Sequence, residues 1–293
     1  MGLSVVIPSK NAANLVPCIR AIRVAGETCR IIVVDDGALN DPHFRWTTEY
    51  EDVDPTAPKC GSVIMYSDEE LPDVGKIKHD GLKNVAGPVG EYIYWVRGAK
   101  PFVFAKAINM GIRAAGEDSV ICLNDDALLK TPGGFSAMWK AAQEHPEFGI
   151  ISPAMNNVGN TWQWQHPFDP ANPLRFEPRT LCFVCVLIPR RTIDLVGLMD
   201  ERYVGYGMDD DDACLTVRRA GLKLGIFDGA FVDHHSLTSS FRAPSPTNSS
   251  PGDFRPNMRL FIEKWGVDNW GKGRDESKFH DLFPHNRGPE LWK

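Results

Sequence analysis

The first apolar cluster along the chain is residues 3–7, a β-branched run that Pro8 is expected to stop. Apolar positions then recur at Leu15, Ile19 and Ile22, spaced i, i+4 and i+7. That period predicts a helix, capped by Asn11 or Asn14 and closed by Gly26. A second short run at 31–34 leads into Asp35-Asp36-Gly37. Strand, helix and strand together have the size of a parallel right-handed crossover. Both strands end in polar residues on one sheet edge, which predicts that Ser9, Lys10 and Asp36 come together.

From 43 to 90 the periodicity weakens, and Pro, Gly and charged residues surround one strand-like run at 62–66. This reads as an insertion with a strand of its own. Residues 92–96 form the next strand, followed by a loop at 97–101 and a helix through Phe104, Ile108, Ile112 and Ala115, ended by Gly116. Lys106 and Asn109 lie three apart on that helix and share a face. The strand at 119–123 runs directly into Asn124-Asp125-Asp126, and Pro132 opens a helix through Phe135, Met138, Trp139 and Ala142. The order βαβ, insertion, βαβα predicts an α/β domain: a doubly wound, mostly parallel sheet flanked by helices. The expected division is a single domain over 1–238, interrupted at 43–90, with a mobile loop and helical tail at 239–293 packed on it.

Past a strand at 148–152, residues 156–179 form a long loop that includes Trp162, Trp164 and Phe168. Loops of this length in a compact domain tend to be functional. Exposed Trp faces suit a sugar ring; anchoring the loop to the core is the competing role. A strand at 181–188 leads to a Gly-Tyr turn at 203–207 and to Asp209-Asp210-Asp211-Asp212, which open a helix with Ala213, Val217 and Ala220 on its apolar face. Capping and the helix macrodipole explain one or two of those acids. The surplus points to chemistry, because crowded carboxylates raise one another's pKa. A short strand at 224–227 and a run at 230–233 end on His234-His235, which are either ligands or rim residues. Residues 239–257 are almost free of aliphatic side chains, the composition of a mobile loop, and the tail from Arg259 carries Leu260, Phe261, Trp265 and Trp270.

Composition narrows the partners. A net charge of -6 with no long basic block argues against nucleic acid as a partner, and 43% apolar residues in 293 suffice for a sizeable core. The seven cysteines sit mostly in apolar runs, as reduced and buried thiols would, and Cys182-x-x-Cys185 lies within a strand-like run, which favours packing over redox or zinc. Without a signal-peptide pattern at the start or a transmembrane span, the expected location is cytoplasmic, or peripheral to the inner membrane face.

The acids after 119–123 change the picture most. In open α/β sheets ligands bind beyond the carboxyl ends of the strands, where Asp125 and Asp126 would emerge. Their hard oxygens suit Mg²⁺ or Mn²⁺, which in turn holds a diphosphate. The plainer alternative is an acidic turn, since Asn-Asp-Asp is good turn chemistry.

Taken in order, the segments 5–11, 32–37, 104–111, 123–126, 196–201, 206–215 and 230–234 resemble the family 2 glycosyltransferases of the GT-A fold. The resemblance implies transfer of a hexosyl or deoxyhexosyl group from a UDP-, GDP- or dTDP-sugar to the hydroxyl of a glycan, lipid-linked or other acceptor, with inversion and with Mn²⁺ or Mg²⁺. It implies that Pro8, Ser9, Lys10 and Asp36 line the nucleoside pocket, that Lys106 and Asn109 face the nucleotide, and that Asn124 and Asp125 lie near the donor. Asp126 and His234, with His235 as a substitute, would hold the metal. The family's base aligns with Asp210, with Asp209 as the runner-up, and Trp162 and Trp164 would face the acceptor. Asn124 stands where the family has an acid, which keeps open a glycan-binding or scaffold protein that lost the chemistry. A nucleotidyltransferase is disfavoured because Pro8-Ser9-Lys10-Asn11 is not a Gly-rich, basic phosphate loop.

Overall fold

The computed structural model describes residues 2–37, 63–66, 93–177, 179–237 and 254–266. Apart from the strand at 63–66, the expected insertion at 43–90 lies outside the described residues, as do most of the expected loop at 239–257 and the chain beyond 266.

One ten-stranded sheet organises the fold, in the order β3(Val63–Tyr66), β4(Ile93–Arg97), β2(Arg30–Asp35), β1(Leu3–Ser9), β5(Ser119–Leu123), β9(Cys185–Ile188), β7(Phe148–Met155), β10(Lys223–Asp233) and β6(Leu128–Leu129), with β8(Arg175–Glu177) pairing to β10 off this path. The ladders β1–β2, β1–β5, β2–β4, β3–β4 and β7–β10 are parallel. β9 runs antiparallel to both β5 and β7, and β6 and β8 run antiparallel to β10. The expectation of a mostly parallel α/β sheet flanked by helices holds.

Two apolar layers cover the sheet, and the period-2 geometry of the strands divides their residues between them. Val5, Ile7, Ile31, Val33, Ile121 and Leu123 pack on one face against Leu15, Ile19 and Ile22 of α1(Ala12–Val24) and Phe135 and Met138 of α3(Gly134–Glu144). Val6, Ile32, Val34, Val120 and Cys122 point the other way, against α2(Phe104–Ala115), Ile193 of α4(Arg190–Val196) and Cys214 and Val217 of α5(Asp209–Arg219). Each such side chain fully buried is worth roughly 1.5–3 kcal/mol. α2 lies so close to β1 that a Cβ on Gly111 would sit 2.1 Å from Val6 Cγ1, so only glycine fits there. A third cluster, Tyr203, Met208, Leu215, Phe261 and Trp265, joins α5 to α6(Arg255–Trp265).

The structure revises several boundaries. Pro8 does not stop β1, which continues to Ser9; the ladder to β5 is over at Val6, so a strand with one free side there tolerates a residue without an N–H. Asn11, not Asn14, caps α1, its side chain accepting from the Ala13 N–H at 2.9 Å. Residues 181–184 precede β9 as a turn, and β10 is a single bent strand with an irregularity between Phe227 and Phe231. The expected apolar face of α5 holds at Val217 and Ala213 but not at Ala220. Ala220 is exposed, while Cys214, Leu215, Val217 and Arg218 are buried, because the helix is covered by the sheet on one side and by α6 on the other. α6 starts at Arg255, inside the stretch expected to be loop, with a proline in its first turn. Among the described residues no helix is long and apolar enough to cross a membrane, and the described cysteines are free thiols.

Candidate active site

The parallel strands all deliver their carboxyl ends to one rim, where β1 ends at Ser9, β2 leads to Asp36, β5 to Asn124, β7 to Asn156 and β10 to His234. Asn124 opens a tight turn, its carbonyl accepting from the Ala127 N–H at 3.1 Å, and its own N–H bonds the Val184 carbonyl at 2.9 Å. The turn reading is therefore correct as geometry, yet the acids in it are not solvated. Asp125 is 0% exposed and Asp126 2%. Buried carboxylates cost several kcal/mol unless something compensates them.

The Ser9 hydroxyl donates to Asp125 Oδ2 at 2.7 Å. Burial pushes the Asp125 carboxyl up to about 6; the Ser9 bond works against that rise and the Asp126 charge adds to it. Its Oδ1 has no hydrogen-bond partner. Lys10, on the same turn as Ser9, is close enough for its charge to favour the ionised form.

Asp126 meets His234, Oδ1 to Nε2, at 3.4 Å. The other ring nitrogen, Nδ1, lies 3.0 Å from the Asn157 carbonyl, and the His234 N–H bonds Asn156 Oδ1 at 2.7 Å. In the neutral ring with Nδ1–H on that carbonyl, Nε2 carries the lone pair and faces Asp126; in the protonated ring Nε2–H points at Asp126 instead. The separation exceeds that of a close charge-assisted hydrogen bond, about 2.7–2.9 Å, and suits two ligand atoms sharing one ion. Asp233 orders this corner by accepting from Asn156 Nδ2 at 2.9 Å, from the His235 N–H at 3.0 Å and from the Ser236 hydroxyl. Burial opposes the Asp233 charge, but the Ser236 and Asn156 bonds outweigh it and hold the carboxyl down at about 2. His235 is exposed and turned out. Among the described residues no group of three or more His, Cys, Asp and Glu side chains gathers, so the protein supplies two donors here and the remaining ligands would come from a bound diphosphate or water.

Along the rim, a pocket is lined by Val34, Asp36, Phe102, Val103 and Lys106, with the backbone of Gly98 and Ala99. Gly98 is required, since a Cβ there would lie 2.8 Å from the Asp35 carbonyl. Lys100 forms an ion pair with Asp36 at the pocket edge. Pro8 is buried within β1. Asn109 was expected to face the nucleotide; its amide instead donates to the Met199 carbonyl and to Glu201 Oε1, each at 2.9 Å, and accepts from the Met199 N–H at 2.9 Å.

α5 starts at this rim because it runs back to begin β10 at the opposite edge. Positive φ at Gly205, Gly207 and Met208 turns the chain into the helix. Its aspartates divide. Asp212 accepts from the Tyr203 hydroxyl (3.0 Å), Trp265 Nε1 (2.7 Å) and Lys264 Nζ (2.8 Å) and is spent on structure. Asp211 is buried. Asp209 and Asp210 stay partly exposed, and burial, reinforced by neighbouring carboxylates, raises both of their pKa values. Burial, and after it the Asp210 charge, pushes the Cys182 thiol up to about 12.

Trp162 and Trp164 are each 50% exposed. Their loop is fixed by its backbone: Arg175 donates to both Trp carbonyls (3.0 and 3.2 Å) and ion-pairs Asp228, while Gln163 bridges Ser152 Oγ (2.9 Å) and the Cys182 carbonyl (3.1 Å). The rings are left free on the surface.

Of the residues expected from sequence, Ser9 meets Asp125, Asp126 meets His234, and Asp36 and Lys106 share a pocket. Asn156 and Asn157, which aim His234, were not singled out. Their only signal was position, directly after a strand and opening a long loop.

No family model matches the sequence. The uncharacterized protein y4gI of Sinorhizobium fredii is 24% identical over 226 residues, covering 69% of this chain and 24% of the relative. The chain thus spans about a quarter of that protein's length. Among solved structures, GalNAc-T7 with UDP, GalNAc and Mn²⁺ superposes with a TM-score of 0.59 at 15% identity, over 100% of this chain and 53% of that one. S. aureus TarS 1–349 in complex with UDP-GlcNAc gives 0.52 at 12% identity, over 98% of this chain and 72% of the other. The shared architecture is the GT-A-like fold.

Proposed function

We propose that the protein is a metal-dependent glycosyltransferase that moves a sugar from a nucleoside-diphosphate sugar to an acceptor hydroxyl with inversion. The observation that carries this reading is the buried Asp126–His234 pair, with the His234 ring oriented by the Asn157 carbonyl, at the rim where Asp125 keeps an oxygen without a partner. The fold shared with GalNAc-T7 and TarS, whose structures hold UDP or UDP-GlcNAc, supports it.

In this reading Asp36 and Lys106 receive the nucleoside end of the donor beside Pro8, and the Asn124 turn, with Asp125, Ser9 and Lys10, lies beneath the donor. Asp126 and His234 hold Mn²⁺ or Mg²⁺, which when bound offsets the charge gathering on the departing diphosphate. Asp210 takes the proton of the acceptor hydroxyl as its oxygen bonds to the anomeric carbon and the bond from that carbon to the diphosphate oxygen breaks. Attack opposite the leaving group inverts the carbon. The raised pKa of Asp210 suits a base, and Asp209 is the alternative. Trp162 and Trp164 present apolar faces to the acceptor.

Incubation with UDP-, GDP- and dTDP-sugars and Mn²⁺ tests the proposal through nucleotide release. Release from one donor, abolished in Asp210→Asn, is the expected result. No release from any donor, with no nucleotide-dependent thermal shift, would overturn it in favour of a scaffold role.

A further inference from the structure

The segment leading into α5 is clamped from two sides. On one, Asn109 of α2 bonds Met199 and Glu201. On the other, α6 reaches it at three points: Lys264 Nζ bridges Asp200 Oδ2 at 2.9 Å and Asp212 Oδ2 at 2.8 Å, Trp265 Nε1 donates to Asp212 Oδ1 at 2.7 Å, and Asn257 Nδ2 donates to the Gly207 carbonyl at 2.9 Å. Asp212 has a donor on each oxygen, so it is occupied in holding the structure together. It is two residues from Asp210.

The first turn of a helix lacks intrahelical partners for its N–H groups and frays without outside support. Here Met208 precedes it in the left-handed region at φ 72, a conformation costing roughly 1–2 kcal/mol for a residue with a Cβ. No side chain of Met208 caps the turn. Within the turn the Asp210 carboxylate accepts from the Asp211 N–H at 2.9 Å, and the hold from outside the helix comes from Asp212 and the helix behind it.

We propose that Asp212 is a positioning residue and α6 a working part of the active site: the latch of Asp212 to Trp265 and Lys264 fixes the first turn of α5 and with it the direction of the Asp210 carboxyl. This deepens the glycosyl-transfer reading and rests on Asp210 as its base. A displacement of about 1 Å at a reacting group costs on the order of a hundredfold in rate, so loosening the turn lowers turnover while leaving the donor pocket, built on β1, β2 and α2, untouched.

Trp265→Phe keeps a ring against Phe261 but removes the Nε1–H donor, and Lys264→Met removes the ion pair, with Lys264→Arg as the conservative control. The expected result is a kcat at least about tenfold lower in the first two, the donor KM and the Kd for UDP unchanged within about twofold, and recovery in Lys264→Arg. Amide exchange at 209–213 should be faster in Trp265→Phe. Unchanged kcat, or loss of donor affinity in step with kcat, would overturn the proposal. Should the wild-type protein transfer from no donor, the glycosyl-transfer reading fails by itself; exchange at 209–213 then still decides the latch, and equal exchange in wild type and Trp265→Phe refutes it.

Discussion

Ser9, the last residue of β1, and Asp125, just past β5, are joined by a 2.7 Å hydrogen bond although 116 positions separate them in the chain. The two strands are parallel neighbours, so their ends arrive side by side. Ser9→Ala removes the hydroxyl donor from Asp125, which keeps its bond from Asn14, and losing a hydrogen bond to a buried carboxylate costs about 1–3 kcal/mol. Urea unfolding should show a lower midpoint at unchanged slope. An unaltered midpoint would mean that the bond contributes nothing.

The adjacent histidines should separate cleanly. Mn²⁺ with UDP is expected to raise the melting temperature of the wild-type protein, and about 2.7 kcal/mol of stabilisation follows at a hundredfold excess over Kd. His234→Ala should lose the Mn²⁺-dependent part of the shift, since its Nε2 faces Asp126, whereas the exposed His235→Ala should retain it. Equal shifts in both variants would remove His234 from the site.

Asp210 must be deprotonated to accept a proton. Because burial, then the Asp211 and Asp209 carboxylates, raise its pKa, the base is lost on acidification well above the ordinary carboxylate range near 4. Its partner Asp209 is raised to about 6. We expect kcat/KM to climb with pH above the ordinary carboxylate range and then level off, and Asp210→Asn to lower transfer by about 10²–10⁴ while UDP still binds. A profile flat down to pH 5 would contradict this assignment.

Trp162 and Trp164 are tied to Arg175 through backbone carbonyls, so truncating their rings leaves the loop anchored. Trp162→Ala and Trp164→Ala should therefore raise the acceptor KM with the donor KM unchanged. A change in donor KM alone would detach them from the acceptor.

The legible features were those with a local period or a crowded chemistry. The runs at 3–7, 31–34 and 119–123 marked buried strands, and the carboxylates that follow marked the rim. Strand direction has no hydrophobic signature, so nothing in Cys185–Ile188 announced that β9 opposes its neighbours. Asn156 and Asn157 read as generic turn residues because asparagine serves most loops equally well. Asn109 sits on the same helix face as Lys106 by spacing, and the period could not say that one meets a pocket and the other meets Met199. The acids at 209–212 were visible as a group; their separate duties depended on Trp265 and Lys264, more than fifty positions later.

The reversed direction of β9 has an evolutionary corollary. The excursion that leaves β7 after Met155 re-enters the sheet at Cys185 on the edge it departed from, so both of its feet stand beside the turn that carries Asp126. Lengthening that excursion on either side of β8, the strand within it, moves no other strand, and extra loop length is thermodynamically cheap. On the proposed function, descendants of this architecture would exchange the acceptors they admit while inheriting the same carboxylates.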